Sequence, residues 1–158
     1  MTYLKNSIVE KLNFFFGKNQ VNILTISIGI IYLWFGLLKF FPNWSPAEGL
    51  AAKTLSILVF HAIDNNILII VLAIVEVFIG ISLIIRLKTK PLMYLVFIHM
   101  FGTFAPFFLM TEITFNNPPF GFSIIGQYIL KNIVIISGLI IVFSKNNHQI
   151  KYQNEKTV

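Results

Sequence analysis

Four long apolar segments, separated by short polar ones, dominate the pattern of residues along the chain. A helix needs about 20 apolar residues to cross a bilayer, because no water is available in the hydrocarbon core to satisfy exposed backbone groups. Segments of this length lie at about Val21–Phe41, Ile67–Ile85, Leu92–Met110 and Ile124–Phe143. Turn-forming residues separate them at 42–43, 64–66, 86–91 and 116–119. The pattern predicts an all-α protein, an integral membrane four-helix bundle.

The polar segments divide the chain into three parts. Residues 21–143 are predicted to form the four-span membrane domain, and residues 144–158 a polar cytoplasmic tail. In residues 1–20, apolar side chains recur at helical spacing between lysines, at Leu4, Ile8, Leu12 and Phe15. This spacing is typical of an amphipathic helix in the cytoplasmic interface, although an ordinary basic leader segment explains it equally well.

A short amphipathic helix is also predicted between the first and second spans. Residues 45–48, Ser-Pro-Ala-Glu, have the spacing of a capping box with proline at the first helical position, which predicts a helix through about Phe60. Its apolar positions suit a helix lying over the outer mouth of the bundle. Such a helix is either a lid over a site or a plain interfacial connector, and the sequence leaves both open.

Charge and composition add a predicted orientation. Twelve Lys and Arg side chains outnumber six Asp and Glu, and nine of the twelve lie before the first span, between the second and third, or after the fourth. Because Lys and Arg accumulate in cytoplasmic loops, both termini are predicted to be cytoplasmic. This asymmetry accounts for the net charge of +6 without a nucleic-acid partner. With 56% hydrophobic and 11% charged residues, the chain also departs from soluble proteins, which are about one quarter charged.

Several kinds of site are excluded or weakly supported by the residues present. The chain has no cysteine, which excludes disulfides, thiol chemistry and thiolate metal sites. The three histidines lack the spacing of metal ligands, so no metal site is predicted, and Glu76 with His99 is the remaining two-ligand alternative. No GxSxG motif or Ser/His/Asp set indicates a hydrolase.

Four ionisable residues lie inside the predicted spans, where charged groups are expensive and tend to mark functional sites. Counted from the outer ends at about 1.5 Å per residue, Glu76 lies about 13 Å deep and Lys131 about 10 Å. We expect these two to pair, because a lysine stem is longer than this difference in depth. The pair is either functional or a structural device that fixes helix register.

The other two ionisable residues are less informative. Lys39 lies one turn from the end of its span, so the headgroups are an alternative to a place in the polar core. His99 is a proton acceptor if it faces Glu76, and otherwise a hydrogen-bonded packing residue. The candidate catalytic residues are therefore Glu76, Lys131 and His99, with no catalytic set established.

Aromatic side chains concentrate towards the outer half of the predicted bundle. An interfacial belt explains most of them, but Trp34 lies too deep for a belt. A flat apolar ligand such as a quinone suits an aromatic pocket with a few polar groups. Pro106 is predicted to kink the third span at this depth, and the glycines of the spans are interpreted as packing devices. The candidate pocket lining is Trp34, Lys39, Phe104, Gln127 and Tyr128.

Several segments together resemble the DoxX-like superfamily of small four-span bacterial membrane proteins, and within it the YkgB/RclC-type branch. The resemblance rests on an aromatic-Gly-x-x-Lys sequence ending the first span, a mid-span Glu, and a Gly-x-x-x-x-Lys sequence opening the fourth. The matching segments are 32–40, 45–48, 75–80, 102–106 and 126–132.

The resemblance implies a four-helix bundle in the bacterial inner membrane, with Lys39, Glu76 and Lys131 in its polar core. It also implies a link to redox physiology, because relatives include a quinone-reducing thiosulfate oxidoreductase subunit and a protein tied to reactive-chlorine resistance. The lack of cysteine departs from the thiol-handling relatives and argues against disulfide transfer.

Three functions remain open at this point. The first is a redox-associated membrane component that binds a quinone-like or small apolar ligand and exchanges its protons through Glu76, Lys131 and His99. Its electrons come from a partner redox subunit, because no cofactor motif is present. The second is a small proton-coupled transporter that uses the same pair. The third is an assembly subunit with no chemistry of its own. A homo-oligomer in the lipid bilayer is compatible with all three.

Overall fold

A computed structural model describes the backbone of residues 2–45 and 47–156 and the side chains of residues 10, 13–45 and 47–144. The described chain is almost entirely helical. Its elements, in chain order, are α1 (Thr2–Leu38), α2 (Glu48–Leu58), α3 (Asn65–Ile84), α4 (Lys90–Gly102), α5 (Pro106–Leu109), α6 (Thr111–Thr114), β1 (Phe115–Asn117), β2 (Gly121–Phe122), α7 (Ile124–Leu130) and α8 (Asn132–Lys156).

Within the described residues, four segments are long and apolar enough to cross a membrane, which confirms the predicted four-helix architecture. They are Asn13–Leu38, Asn65–Ile84, Lys90–Leu109 and Ile124–Ser144. Large apolar side chains are exposed along each of them, for example Ile30, Ile70, Ile98 and Val134. A soluble monomer rarely exposes so much apolar surface, whereas lipid covers it without penalty. The protein is therefore a small multi-pass membrane protein.

The first and last helices extend beyond their spans. Helix α1 runs for 37 residues, so no helix break separates the predicted leader segment from the first span. Phe15 is 54% exposed. The side chains of Leu4, Ile8 and Leu12 lie outside the described residues, and the amphipathic face of the leader stays a prediction. Helix α8 likewise continues into the predicted polar tail.

The third and fourth spans are interrupted. Helix α4 ends at Gly102 and α5 begins at Pro106, because proline has no N–H to donate back along the helix. The kink predicted at Pro106 is thus a break. The fourth span is divided between α7 and α8, and the side-chain amide of Asn132 donates a hydrogen bond of 3.0 Å to Oγ1 of Thr103. This bond joins the two interruptions.

Helix α2 confirms the predicted short helix, but the predicted capping box is wrong. Ala47 occupies the N-cap position, and no side chain caps the helix there. Oε2 of Glu48 instead accepts a hydrogen bond of 2.9 Å from the backbone N–H of Asn43. Oγ of Ser45 is buried and has no hydrogen-bond partner in the described part of the chain. The turn before α2 therefore places both side chains differently from a capping box.

A small hairpin of β1 and β2 was not predicted, because the sequence between the last two spans reads only as a turn. Phe115 pairs with Phe122 across the hairpin, and their ring centroids lie 5.1 Å apart. Phe107 lies 5.5 Å from both rings, and Phe104 lies 6.2 Å from Phe107. These four rings form an aromatic cluster that packs the hairpin against the third span.

Helices α1 and α3 make the most extensive contact between helices, while α4 contacts α3 and α8 over far fewer residues. Three glycines bring the α1 and α3 backbones together: Gly29, Gly36 and Gly80. A Cβ atom built on Gly80 lies only 2.5 Å from the backbone nitrogen of Leu33. The interpretation of glycines as packing devices is confirmed at these positions and wrong at Gly102, where an added Cβ meets no other described part of the chain within 4 Å.

Candidate functional site

The close approach of α1 to α3 places Glu76 in the interior. A Cβ atom built on Gly36 lies 2.9 Å from the Cβ of Glu76, so the α1 backbone passes directly beside this residue. Glu76 is only 7% exposed. Lys39 follows Gly36 by three residues, in the turn after α1, and so lies on the same side of the chain. The absence of a side chain at Gly36 is what gives Lys39 access to the carboxylate.

Lys39 and Glu76 form a buried ion pair. Nζ of Lys39 lies 2.5 Å from Oε2 of Glu76, and the two side chains are 5% and 9% exposed. The ammonium group also donates a hydrogen bond of 3.4 Å to the carbonyl oxygen of Phe35. A charge inside a membrane span is tolerated when it is paired and hydrogen-bonded in this way. Lys39 therefore belongs to the polar core, and its alternative placement at the headgroups is wrong.

The second oxygen of the carboxylate contacts His99. Nε2 of His99 lies 3.2 Å from Oε1 of Glu76, and Nδ1 lies 3.1 Å from the hydroxyl oxygen of Tyr32. One assignment of protons satisfies every group: Nε2–H donates to the carboxylate and Nδ1 accepts from the phenol. The ammonium, carboxylate, imidazole and phenol thus form one continuous chain of hydrogen bonds. We call this the polar chain, made of Lys39, Glu76, His99 and Tyr32.

The predicted pairing of Glu76 with Lys131 is wrong. Among the residues with described side chains, the ion-pair partners of Glu76 are Lys39 and His99. Lys131 is exposed in the interruption between α7 and α8, and its Nζ lies 4.6 Å from the ring centroid of Tyr128. Counting residues along a span gives a depth but not the face of the helix. Lys131 lies at about the predicted depth of Glu76, but it is on a face of its helix that does not contact Glu76.

The five candidate lining residues do not surround one cavity. Lys39 is in the polar chain, and Phe104 is half-buried in the aromatic cluster. Trp34 is 63% exposed, Tyr128 is 64% exposed, and Gln127 is exposed as well. Contact with lipid explains these exposed positions without a ligand. Two open depressions at the α2 end of the bundle are lined by other residues.

Tyr32 is the member of the polar chain that the sequence analysis did not select. It is 4% exposed and belongs to the main hydrophobic core, between α1 and the neighbouring helices. A signal was present, since Tyr32, Gly36 and Lys39 are spaced by four and three residues and so share one face of a helix. The residues that α1 and the turn after it supply to the site all lie on this face.

The polar chain lacks the composition of a metal centre. In the part of the chain whose side chains are described, no three His, Cys, Asp or Glu side chains lie close enough to hold a metal ion. The pair of Glu76 and His99 supplies two ligands, and each is already engaged with Lys39 or Tyr32.

Fold and site together define the class of protein: a small multi-pass membrane protein with a buried chain of ionisable groups between its first three spans. Comparisons with family models, with curated proteins and with solved structures found no match to this chain. The four spans agree with the DoxX-like resemblance, and membership of that family stays a prediction.

Proposed function

We propose that this protein is a redox-associated component of the bacterial inner membrane, related to the DoxX-like proteins, that binds a quinone-like ligand beside His99 and exchanges protons with it. The observation that carries the proposal is the polar chain, in which four groups able to donate or accept protons are joined by hydrogen bonds across three helices. Buried polar networks of this kind occur in proton relays.

His99 is the best placed member of the chain to meet a ligand. Histidine is the side chain that changes its charge most readily near neutral pH, and His99 is the most exposed partner in the polar chain, with 11% of its side chain exposed. Its two ring nitrogens connect the carboxylate of Glu76 to the hydroxyl of Tyr32. A quinone carbonyl oxygen only accepts hydrogen bonds, so it takes the place of Tyr32 at Nδ1 in the form of His99 that carries a proton on both ring nitrogens, with Nδ1–H donating to the carbonyl and Nε2–H to Glu76.

A ligand dissolved in the membrane reaches this position from the side. Helix α4, which carries His99, packs against α3 and α8 over few residues, whereas α1 and α3 are tightly joined. The seam between α4 and the α1–α3 pair is therefore the part of the bundle that separates most easily. Access through this seam requires no water-filled channel, which is consistent with the positions of the two open depressions away from the polar chain.

The proton and electron balance defines what the protein supplies. Reduction of a quinone to a quinol consumes two electrons and two protons. The polar chain delivers and recovers the protons, with Glu76 and His99 as the exchanging groups. An electron-donating partner subunit supplies the electrons. With both termini in the cytoplasm, as the charge distribution predicts, the polar chain lies in the outer half of the membrane and exchanges its protons with that side.

Quinone binding provides the first test. The purified protein is expected to bind a short-chain ubiquinone analogue, measured by quenching of tryptophan fluorescence. Glu76→Gln and His99→Leu are each expected to weaken binding at least about tenfold, or about 1.4 kcal/mol. His99→Leu removes the hydrogen bond to the ligand, and Glu76→Gln removes the charge that orients the imidazole.

Lys131→Met serves as the matched control, because this lysine is exposed and outside the polar chain. Its affinity for the analogue is expected to equal that of the wild type. Circular dichroism verifies that each variant keeps its helical content. A folded wild-type protein that does not bind the analogue contradicts the proposal, as does binding that survives both substitutions in the polar chain.

A second candidate function, that of an assembly subunit without chemistry, is favoured by the deep burial of the ion pair. Lys39 and Glu76 are 6% and 7% exposed, as expected for a pair that fixes the register of α1 against α3. Under this alternative, the protein does not bind quinone. Cells that carry the variant with both partners replaced by apolar residues then grow like cells that carry the wild-type protein.

A further inference from the structure

A polar depression lies at the α2 end of the bundle, apart from the polar chain. It has a volume of about 280 Å³ and is bounded by the turn after α1, the start of α2 and the start of α3. Ile69 forms part of its floor and precedes Glu76 by seven residues, which is about 10 Å along a helix. The described polar lining residues of the depression are Asn43, Ser45, Glu48, Asn65 and Asn66.

Ser45 is the first indication that the depression holds a ligand. The residue is 5% exposed, and its Oγ is buried without any hydrogen-bond partner among the described residues. A buried hydroxyl without a partner is unfavourable, and nearly all such groups in folded proteins are satisfied. Ser45 lines the depression, so a group bound there lies next to this residue, and a rotation about its Cα–Cβ bond turns the enclosed hydroxyl towards that group.

The charge of the residues that line the depression indicates the chemical class of its ligand. Among the described residues of its lining, Glu48 is the one that carries a charge, and the other polar residues are neutral amides and the Ser45 hydroxyl. The backbone N–H of Asn43 holds Oε2 of Glu48 in place, which leaves Oε1 for another donor. Lys53, the nearest cation along α2, lines a different depression. The lining is therefore negative and rich in acceptor oxygens.

The backbone around the depression is shaped to keep this arrangement. Asn43 has a positive φ of 66°, a conformation that asparagine tolerates better than most residues. It turns the chain so that its N–H points to Glu48. Asp64 is outside the described lining but precedes Asn65 in the chain; its carboxylate accepts a hydrogen bond of 2.8 Å from the N–H of Asn66 and adds a second negative charge next to the depression.

We propose that this depression binds a primary ammonium group, with Glu48 as its counter-ion and Ser45 as an additional acceptor. A primary ammonium carries three N–H donors, which match a carboxylate oxygen, a hydroxyl and an amide carbonyl. The group belongs either to a free amine or to the ethanolamine headgroup of a lipid at the membrane surface. The proposal is independent of quinone binding, because the two sites share no residue.

Ethanolamine is the probe for a free amine, and choline is the matched comparison because its quaternary nitrogen has no N–H donor. Titration calorimetry of the full chain in detergent is expected to show ethanolamine binding at least tenfold tighter than choline.

Glu48→Gln, whose amide oxygen still accepts from Asn43, is expected to weaken ethanolamine binding at least tenfold. Ser45→Ala is expected to weaken it several-fold without lowering the melting temperature. Glu112→Gln removes an exposed carboxylate outside the depression and leaves binding unchanged.

Native mass spectrometry tests whether the bound ammonium belongs to a lipid headgroup. In mixed vesicles, the wild-type protein is expected to retain phosphatidylethanolamine over phosphatidylcholine, and Glu48→Gln is expected to lose this preference. Retention of the lipid with no binding of free ethanolamine assigns the site to a headgroup, and the reverse result assigns it to a free amine. Equal binding of ethanolamine and choline together with no lipid preference overturns the proposal. Quinone binding by Glu48→Gln, measured in parallel, separates this outcome from a failure of the proposed function.

Discussion

Replacement of Glu76 by leucine is expected to lower the free energy of unfolding by about 3 to 5 kcal/mol, the typical effect of removing one partner of a buried ion pair. The substitution leaves the ammonium group of Lys39 buried without a counter-ion and removes the acceptor of His99. Both groups lose their partner in a region with little access to water. Equilibrium unfolding in mixed detergent micelles, followed by circular dichroism, measures the change.

The double variant Lys39→Met/Glu76→Leu provides the decisive comparison for this prediction. Removing both charges eliminates the uncompensated ammonium, so the double variant is expected to recover most of the lost stability. Glu112→Leu is the matched control, since this carboxylate is exposed and has no ion pair among the described residues. A Glu76→Leu protein that is as stable as this control contradicts the buried pair.

Substitution of Gly80 by alanine is expected to destabilise the bundle by about 1 to 3 kcal/mol, the usual range for overpacking a tight interface. The added Cβ lies 2.5 Å from the backbone nitrogen and 2.8 Å from the Cα of Leu33. Backbone atoms cannot rotate away as a side chain does, so α1 and α3 must separate. Thermal unfolding in detergent measures the loss.

Gly102→Ala tests whether this loss arises from the helix contact. Gly80 lies inside α3 and Gly102 is the last residue of α4, and a Cβ built on Gly102 meets no other described part of the chain within 4 Å. Alanine at this position is expected to be neutral or slightly stabilising, because it has the higher helix propensity. Equal losses from both substitutions contradict the account of α1 and α3 as a close-packed pair.

The architecture was predictable because it depends on properties that run along the chain. Twenty apolar residues have the length to cross a membrane wherever they lie, and polar turns mark their ends. The four spans, the helix before the second span and the break at Pro106 all follow from such local rules. The hairpin of β1 and β2 did not follow, because its strands have only three and two residues.

The partner of Glu76 was not predictable by the same means. Depth along a span is a one-dimensional quantity, and by depth Lys131 is closer to Glu76 than Lys39 is. The structure selects Lys39 because Gly36 lets the two backbones approach and because the turn after α1 directs the lysine inward. The choice depends on helix faces and close packing, which involve residues far apart in the sequence.

The role of His99, which the sequence left open, has a different outcome. The sequence left open whether His99 faces Glu76 or serves only in packing, and the structure places its ring 3.2 Å from the carboxylate. The hydroxyl of Tyr32 completes its second hydrogen bond. The quinone ligand stays a prediction, whereas Trp34 and Tyr128 are exposed and do not join the other candidate lining residues around one cavity.

The distance between Glu76 and its lysine partner tests the central claim most directly. Solid-state NMR on protein in lipid bilayers, labelled with ¹³C in glutamate carboxylates and ¹⁵N in lysine side chains, reports carbon–nitrogen distances below about 4 Å, the range of a formed ion pair. We expect dephasing of the Glu76 carboxylate that disappears in Lys39→Met and persists in Lys131→Met. Dephasing that persists in Lys39→Met and disappears in Lys131→Met contradicts the account, as does its absence from the wild-type protein.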